Sequence, residues 1–493
     1  MLIKKDQDII QSYFEDESGL LGGHAEQVII PENEKEVSEF LSDNYRGKKL
    51  PVTVSGAGTG VTGGRIPFGG AVLSLEKMNR FINFNSDSTA AVQPGLSITD
   101  LKKEVQKNGF MYPPDPTEQN SWVGGNVSTN ASGSRGFKYG STRKYINRLK
   151  VVLSNGEILD IARGKYFADK TGKLALPSKS IPTITLPSYK LPGIKNAAGY
   201  FNYPGADLID VFIGHEGTLG VITGIEVSLL PVTEKMLSGI AFFKEAADSW
   251  KFVSEAKSTS RKNTALNNKA GLSALSLEYF DINALELLRS DYPRIPAFAK
   301  AAVFFEQEVH GDTETGLMEE WTALLERSEA PIEDVWFSTT PKDMEAFREL
   351  RHRLPEKVNE IVKLNKFPKT GTDIAVPDDK LAEMIHYIYA VIEKQNIRHL
   401  VFGHIGESHL HANLLPCTEE QYKQCREIYI AMCAKAASLG GTVSAEHGIG
   451  KLKHAYLEKM LGKPAILEMA AFKKTLDPAC TLGLGNIFPK ELL

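Results

Sequence analysis

The chain has 493 residues, too many for one hydrophobic core, so two or more domains are expected. Hydrophobic residues make up 42% and charged residues 24%, a balance that excludes long disorder. With 57 Lys and Arg against 61 Asp and Glu the net charge is -4, and no basic field exists to hold nucleic acid.

No apolar run reaches the ~18 residues of a membrane span. The opening residues, MLIKKDQDIIQSYF, lack the apolar stretch of a signal peptide, so the expected location is cytoplasmic. A peripheral contact with a membrane surface stays compatible with the sequence, as does a homodimer. Residues 1–26 read as a helical N-terminal segment. Residues 33–46 predict an amphipathic helix, 51–55 a short strand, 71–75 and 90–93 two more, and 97–108 a helix with Ser97 as its cap. Residues 145–162 predict a hairpin turning at Asn155-Gly156. Residues 164–195, rich in Lys, Pro and Ser, read as an insertion or mobile loop. Strand-like alternation returns over 211–231, and a composition shift at Thr233–Glu234 marks a domain boundary. Beyond it, helices are expected at 245–258, 282–290, 312–328, 341–364, 378–395, 418–438 and 454–475, with strands near 300–306, 372–376 and 399–404. No repeat is visible, and the order implies α+β in both halves. Cys417, Cys425, Cys433 and Cys480 contain no C-x-x-C pair, so no zinc knuckle or iron–sulfur ligand run is encoded and reduced thiols are expected.

Residues 54–64 read VSGAGTGVTGG. Glycines let backbone N–H groups converge on an anion, and Thr59 and Thr62 add hydroxyls. The segment is not a Walker loop, because Gly63-Gly64-Arg65 stands where Gly-Lys-Ser/Thr is needed. Gly58, Gly60 and Gly63 match the Rossmann spacing, but too few residues precede the next strand for a crossover helix. The alternative is a glycine-rich structural turn. Two further small-residue segments, 113–142 and 214–220, suggest one large cofactor gripped at several points.

SGAGTGVTGG, PPDP…GGN…NASG…YG, KNAAGY (195–200) and HEGTLGVIT (215–223) together resemble the vanillyl-alcohol-oxidase-like flavoproteins. The nearest-looking branch is the FAD-linked D-2-hydroxyacid dehydrogenases, which act on D-lactate, glycolate and D-2-hydroxyglutarate. The resemblance implies a PCMH-type FAD-binding domain of two α/β subdomains over 27–232. An α+β cap domain, an antiparallel sheet flanked by helices, follows over 233–493. It also implies that Ser55, Gly56, Ala57, Gly58, Thr59 and Gly60 contact the FAD pyrophosphate. Pro114, Asp115, Gly124, Gly125, Asn130, Ala131 and Ser132 would line the ribityl chain and flavin, with Gly217 and Ile222 near the adenine. No His occurs in 50–70, so noncovalent FAD is expected.

Residues 402–413 read FGHIGESHLHAN. If 409–414 is a strand, His409, His411 and Asn413 share one face, and a turn at Gly406-Glu407 returns His404 beside His411. Two imidazoles and a carboxylate from Ser444-Ala-Glu446-His447 would suit a catalytic divalent metal. Spacing alone leaves a hydrogen-bonded core network equally open. The resemblance extends to HIGESHLHAN and AEHGIGKLK, and by it His404, His411 and Glu446 hold the metal, described as zinc. His447 is then the base, Asn413 a substrate contact and Arg351 the anchor of the substrate carboxylate; a helix-surface charge is the alternative for Arg351, beside Arg348 and Arg353. Where the family has Gly-Asp-Gly-Asn this chain has Gly406-Glu-Ser-His409, so His409 can touch substrate or metal or fill space. Gly371 replaces a basic or polar residue, and Gly483-Leu-Gly-Asn486 replaces Asn-Pro-Gly-Lys.

The expected reaction is oxidation of a small D-2-hydroxy acid, D-lactate-like, to the 2-keto acid. The metal acidifies the hydroxyl, His447 takes its proton and hydride passes to flavin. Electrons then need a separate acceptor: a quinone, a cytochrome or an electron-transfer flavoprotein. The rival readings are an alcohol oxidase or ether-lipid synthase on the same scaffold, a non-flavin metallohydrolase, and a non-catalytic FAD-binding subunit.

Overall fold

Asn33 Oδ1 accepts from Glu36 N at 3.0 Å, while Glu36 Oε2 accepts from Glu32 N at 2.9 Å. This reciprocal cap starts the helix Glu34–Arg46. Val37 and Leu41, one turn apart, are fully buried, and each side chain contributes roughly 1.5–3 kcal/mol. They pack with Ile29, Leu73, Val152 and Val221. The computed structural model describes every residue except Glu234, which is one side of the boundary expected at 233–234.

The chain forms two compact units. The first comprises Met1–Gly133, Gly140–Val232 and Val443–Leu493, and the second Ser134–Tyr139 and Thr233–Thr442. The final segment therefore groups with the N-terminal residues, and Ser134–Tyr139 with the second unit.

In the first unit, Gln27–Ile30 and Val52–Ser55 both run parallel to Ala71–Ser74, and Leu2–Lys4 lies antiparallel at the edge. The N-terminal segment is thus a strand, a short helix Gln7–Ile10 and a 3₁₀ turn. A second, five-stranded antiparallel sheet runs in the order Phe81–Phe84, Thr89–Val92, Val221–Ser228, Ile146–Val152 and Ile158–Ala162. Within 164–195, Lys173–Ala175 and Thr183–Thr185 form a small hairpin that buries Leu174 and Ile184. The returning segment extends the parallel sheet: Val52 N donates to Thr481 O at 2.7 Å and Gly483 N to Val52 O at 2.9 Å. The helix expected over 454–475 is two helices, His454–Leu461 and Lys463–Leu476. They break at Gly462, whose φ of 80° sits just before Pro464.

The second unit is built on an eight-stranded antiparallel sheet. The strands Lys235–Phe243, Ala301–Val309, Ala274–Asp281, Arg398–Gly403 and His409–Leu415 lie side by side in that order. Ala274–Asp281 and Ala301–Val309 are buried at every position, because both faces are covered. One face packs Phe280, Phe304 and Leu400 against Leu350, Leu354 and Val358 of the helix Pro341–Asn365. On the other face Phe305 stacks on Trp321 at 4.3 Å between ring centroids. Among the described residues, no helix is long and apolar enough to cross a membrane.

Candidate active site

The first and third glycine segments and residues 113–133 of the second meet within the first unit. The helix Val123–Thr129 ends at Asn130, a left-handed residue (φ 52°) whose Oδ1 accepts from Arg143 N at 3.0 Å. Gly214 N and Glu216 N donate to Val127 O and Ser128 O, so the 214–220 loop docks on that helix end. Val54 lies 3.5 Å from where a Cβ on Gly217 would stand, and Ile222 is buried in the strand Val221–Ser228.

A Cβ on Gly56 would meet only Gly125 Cα, at 3.9 Å, and one on Gly60 or Gly125 would meet nothing within 4 Å. The two loops therefore approach each other and keep a face clear of side chains, a cradle open to a large anionic ligand. Gly124 differs from its neighbour: its Cβ would lie 2.5 Å from Pro94 Cβ and 3.0 Å from Pro94 O. Gly58 leaves room for the Arg65 guanidinium, and Arg65 Nε donates to Ser55 Oγ at 2.8 Å. Asp115 directs its carboxylate to Lys102 and Gln119 while its backbone N donates to Ser132 O. Pro114 is buried, and Ala131 O accepts from Thr142 N and Oγ1.

The 444–450 turn sits beside the cradle. Thr62 Oγ1 donates to His447 O at 3.5 Å, and Lys451 N to Thr62 O at 2.9 Å. Glu216 accepts from Ile449 N at 2.7 Å and Gly450 N at 2.6 Å. Burial pushes the Glu216 carboxyl up to about 7, against the pull of those two amides. Glu446 accepts from Ser132 Oγ at 3.0 Å and pairs with Lys195 Nζ at 2.9 Å. His447 Nε2 is 3.7 Å from Glu446 Oε1, with a third of its side chain exposed (35%).

In the second unit, a 3₁₀ turn at Ile405–Glu407 and left-handed Ser408 connect Arg398–Gly403 to His409–Leu415. Lys257 Nζ pins this turn, donating to Ser408 Oγ at 2.8 Å and Ile405 O at 3.4 Å. His404 and His411 come together with ring centroids 5.6 Å apart. His404 Nδ1 is 2.6 Å from Glu278 Oε1, and His411 Nδ1 is 2.8 Å from Thr372 O. An acceptor at Nδ1 leaves Nε2 of each ring as the lone-pair donor a metal needs. The fit is that of a borderline divalent cation on imidazole.

The three arginines of the helix Pro341–Asn365 separate by direction. Arg353 pairs outward with Asp291, Glu356 and Glu360. Arg348 pairs with buried Glu306, and Arg351 Nε donates to Glu278 Oε2 at 2.9 Å. Burial pushes the Glu278 carboxyl up, but Arg351 and His404 together outweigh it and hold it at about 2. Asn413 is buried on the same strand face as His411, and its Oδ1 is 3.3 Å from where a Cβ on Gly371 would stand.

Sequence reasoning missed Glu278, Glu216, Lys195, Thr372 and Asp373. Glu278 had a signal, a lone acid in the apolar run LSLEYF. Lys195 and Glu216 stand inside KNAAGY and HEGTLGVIT, where no spacing marks either charge.

Residues 253–487 match the C-terminal domain of FAD-linked oxidases, and residues 25–162 match an FAD binding domain. The chain is 32% identical over 475 residues to the glycolate oxidase subunit GlcD of Bacillus subtilis (strain 168), covering 94% of this chain and 89% of that one. It is 28% identical to a D-lactate dehydrogenase of Anaerostipes hadrus, covering 97% and 93%. Among solved structures, 4-ethylphenol oxidase from Gulosibacter chungangensis shares the fold at a TM-score of 0.70 and 16% identity, covering 100% of this chain and 95% of that one. An alkyldihydroxyacetonephosphate synthase does so at 0.66 and 15%, covering 98% and 82%.

Proposed function

Since the chain belongs to the FAD-linked oxidases, flavin-dependent oxidoreductases acting on CH–OH donors, we propose that it oxidises a D-2-hydroxy acid, D-lactate-like, to the 2-keto acid. The relatives' names support the substrate class. The observation that carries the chemistry is the His404–His411 pair, with each Nδ1 already facing an acceptor.

In this reading FAD lies noncovalently on the glycine cradle, Ser55 to Gly60, and on Gly125 and Asn130 to Ser132; when bound it accepts the hydride from C2. His404, His411 and Glu446 hold a divalent cation, zinc by the donor set, which lends Lewis acidity toward the substrate hydroxyl. His447 takes the hydroxyl proton at its imidazole. Arg351 supplies the cation for the substrate carboxylate, its Nε fixed on Glu278, and Asn413 offers an amide to the substrate. Electrons leave to a separate quinone, cytochrome or electron-transfer flavoprotein.

The test is anaerobic reduction of the purified flavoprotein by a panel of D- and L-2-hydroxy acids, followed by flavin absorbance. Bleaching by D-acids supports the reading. No bleaching by any of them, with peroxide formed from an alcohol, would replace it with the alcohol-oxidase reading.

A further inference from the structure

Strand period places His409 on the same face as His411 and Asn413. Its side chain is completely buried. The ring centroid lies 4.4 Å from that of His411 and 5.3 Å from that of His404. One ring nitrogen on each of the three histidines falls within 4.8 Å of the others. Beyond the ring, His409 Nε2 faces Asp373 Oδ1 at 3.2 Å, and that carboxylate is also fully buried.

The outer contacts surround the rings with oxygen. Nδ1 of His404 and of His411 face oxygen acceptors, and so does Nε2 of His409. With the proton on its outer nitrogen, each ring can turn a lone pair toward the other two. Imidazole nitrogens that converge this closely suit a single shared cation. A residue that merely filled space at 409 would need neither an imidazole nor a buried carboxylate behind it.

We infer that His409 is a third imidazole ligand of the cation, binding through Nδ1, and that Asp373 is the carboxylate that orients it. This rests on the metal reading proposed above. Three neutral imidazoles favour zinc, cobalt or nickel over oxygen-preferring magnesium or calcium.

The test uses the full-length protein loaded with cobalt(II) or zinc(II). X-ray absorption counts the imidazoles around the metal, and chelator competition measures affinity. Three imidazoles are expected in the wild type and two in His409→Asn. Affinity should fall roughly 10–100-fold in Asp373→Asn and at least as far in His409→Asn. Should His409→Asn fail to fold, the wild-type count decides alone. A wild type that binds metal through two imidazoles overturns the inference and leaves the metal reading standing. A wild type that binds no divalent cation overturns both.

Discussion

Glu278 carries two loads on one carboxylate: Oε1 lies 2.6 Å from His404 Nδ1, and Oε2 accepts Arg351 Nε at 2.9 Å. An imidazole and a guanidinium are thereby fixed relative to each other by one buried carboxylate.

Glu278→Gln should therefore act on both. The partly buried Arg351 loses one charged partner, a loss of roughly 1–3 kcal/mol in unfolding free energy. Metal affinity should drop roughly 10–100-fold as His404 loses its orienting partner. Denaturant unfolding and chelator competition measure the two effects separately; unchanged affinity would remove Glu278 from the metal's support.

Gly124 and Gly125 give opposite expectations for one substitution. Gly125→Ala meets no protein atom and gains helix propensity, so the apoprotein should hold or gain up to about 1 kcal/mol while FAD affinity falls. Gly124→Ala collides with Pro94 and should destabilise the apoprotein instead. Fluorescence titration with FAD and thermal melting of the apoprotein separate them, and unimpaired FAD binding in Gly125→Ala would place the cofactor elsewhere.

Glu216 gives stability a pH slope. Its carboxyl titrates at about 7 in the folded chain against 4.5 for an ordinary glutamate, so the folded state binds the extra proton. The stability this confers is complete below pH 4.5 and is lost as pH rises through 7. Glu216→Gln should flatten that part of the curve by up to about 3 kcal/mol, on top of a constant penalty for an amide left short of an acceptor. Calorimetric melting from pH 4.5 to 8 shows the difference; parallel curves would contradict it.

His447→Ala should keep the flavin absorbance yet lose at least about 100-fold in the rate of flavin reduction by substrate. Full activity would remove His447 as the base.

Metal removal should suppress turnover, and zinc or cobalt should restore it. A dialysed sample shown metal-free by elemental analysis that still turns over at the original rate would end the metal role.

Local signals in the sequence carried a good part of this architecture. Ser97 caps the helix it is expected to cap, the helix expected over 33–46 forms as Glu34–Arg46, and the turn at 405–407 brings His404 back to His411 as the spacing implies. The strands Lys235–Phe243 and Ala274–Asp281 were not legible, because a strand buried on both faces shows no alternation. Glu278 went unseen with its strand. Arg351 was separable from Arg348 and Arg353 only by position on the helix, since all three are paired to acids and only the direction of each pairing differs. Asp373 and Thr372 support their histidines across strand pairings, a relationship that sequence spacing does not encode.

The edge strand Val52–Ser55 is completed by Thr481 and Gly483, which are translated long after it. On the ribosome, a strand that emerges early must wait for residues that emerge far later. A nascent chain halted anywhere before residue 480 holds an exposed parallel edge just upstream of the glycine cradle, a ready template for the wrong neighbour. The protein's dependence on chaperones should therefore persist until residues 481–483 emerge, because its oldest sheet is unfinished until then.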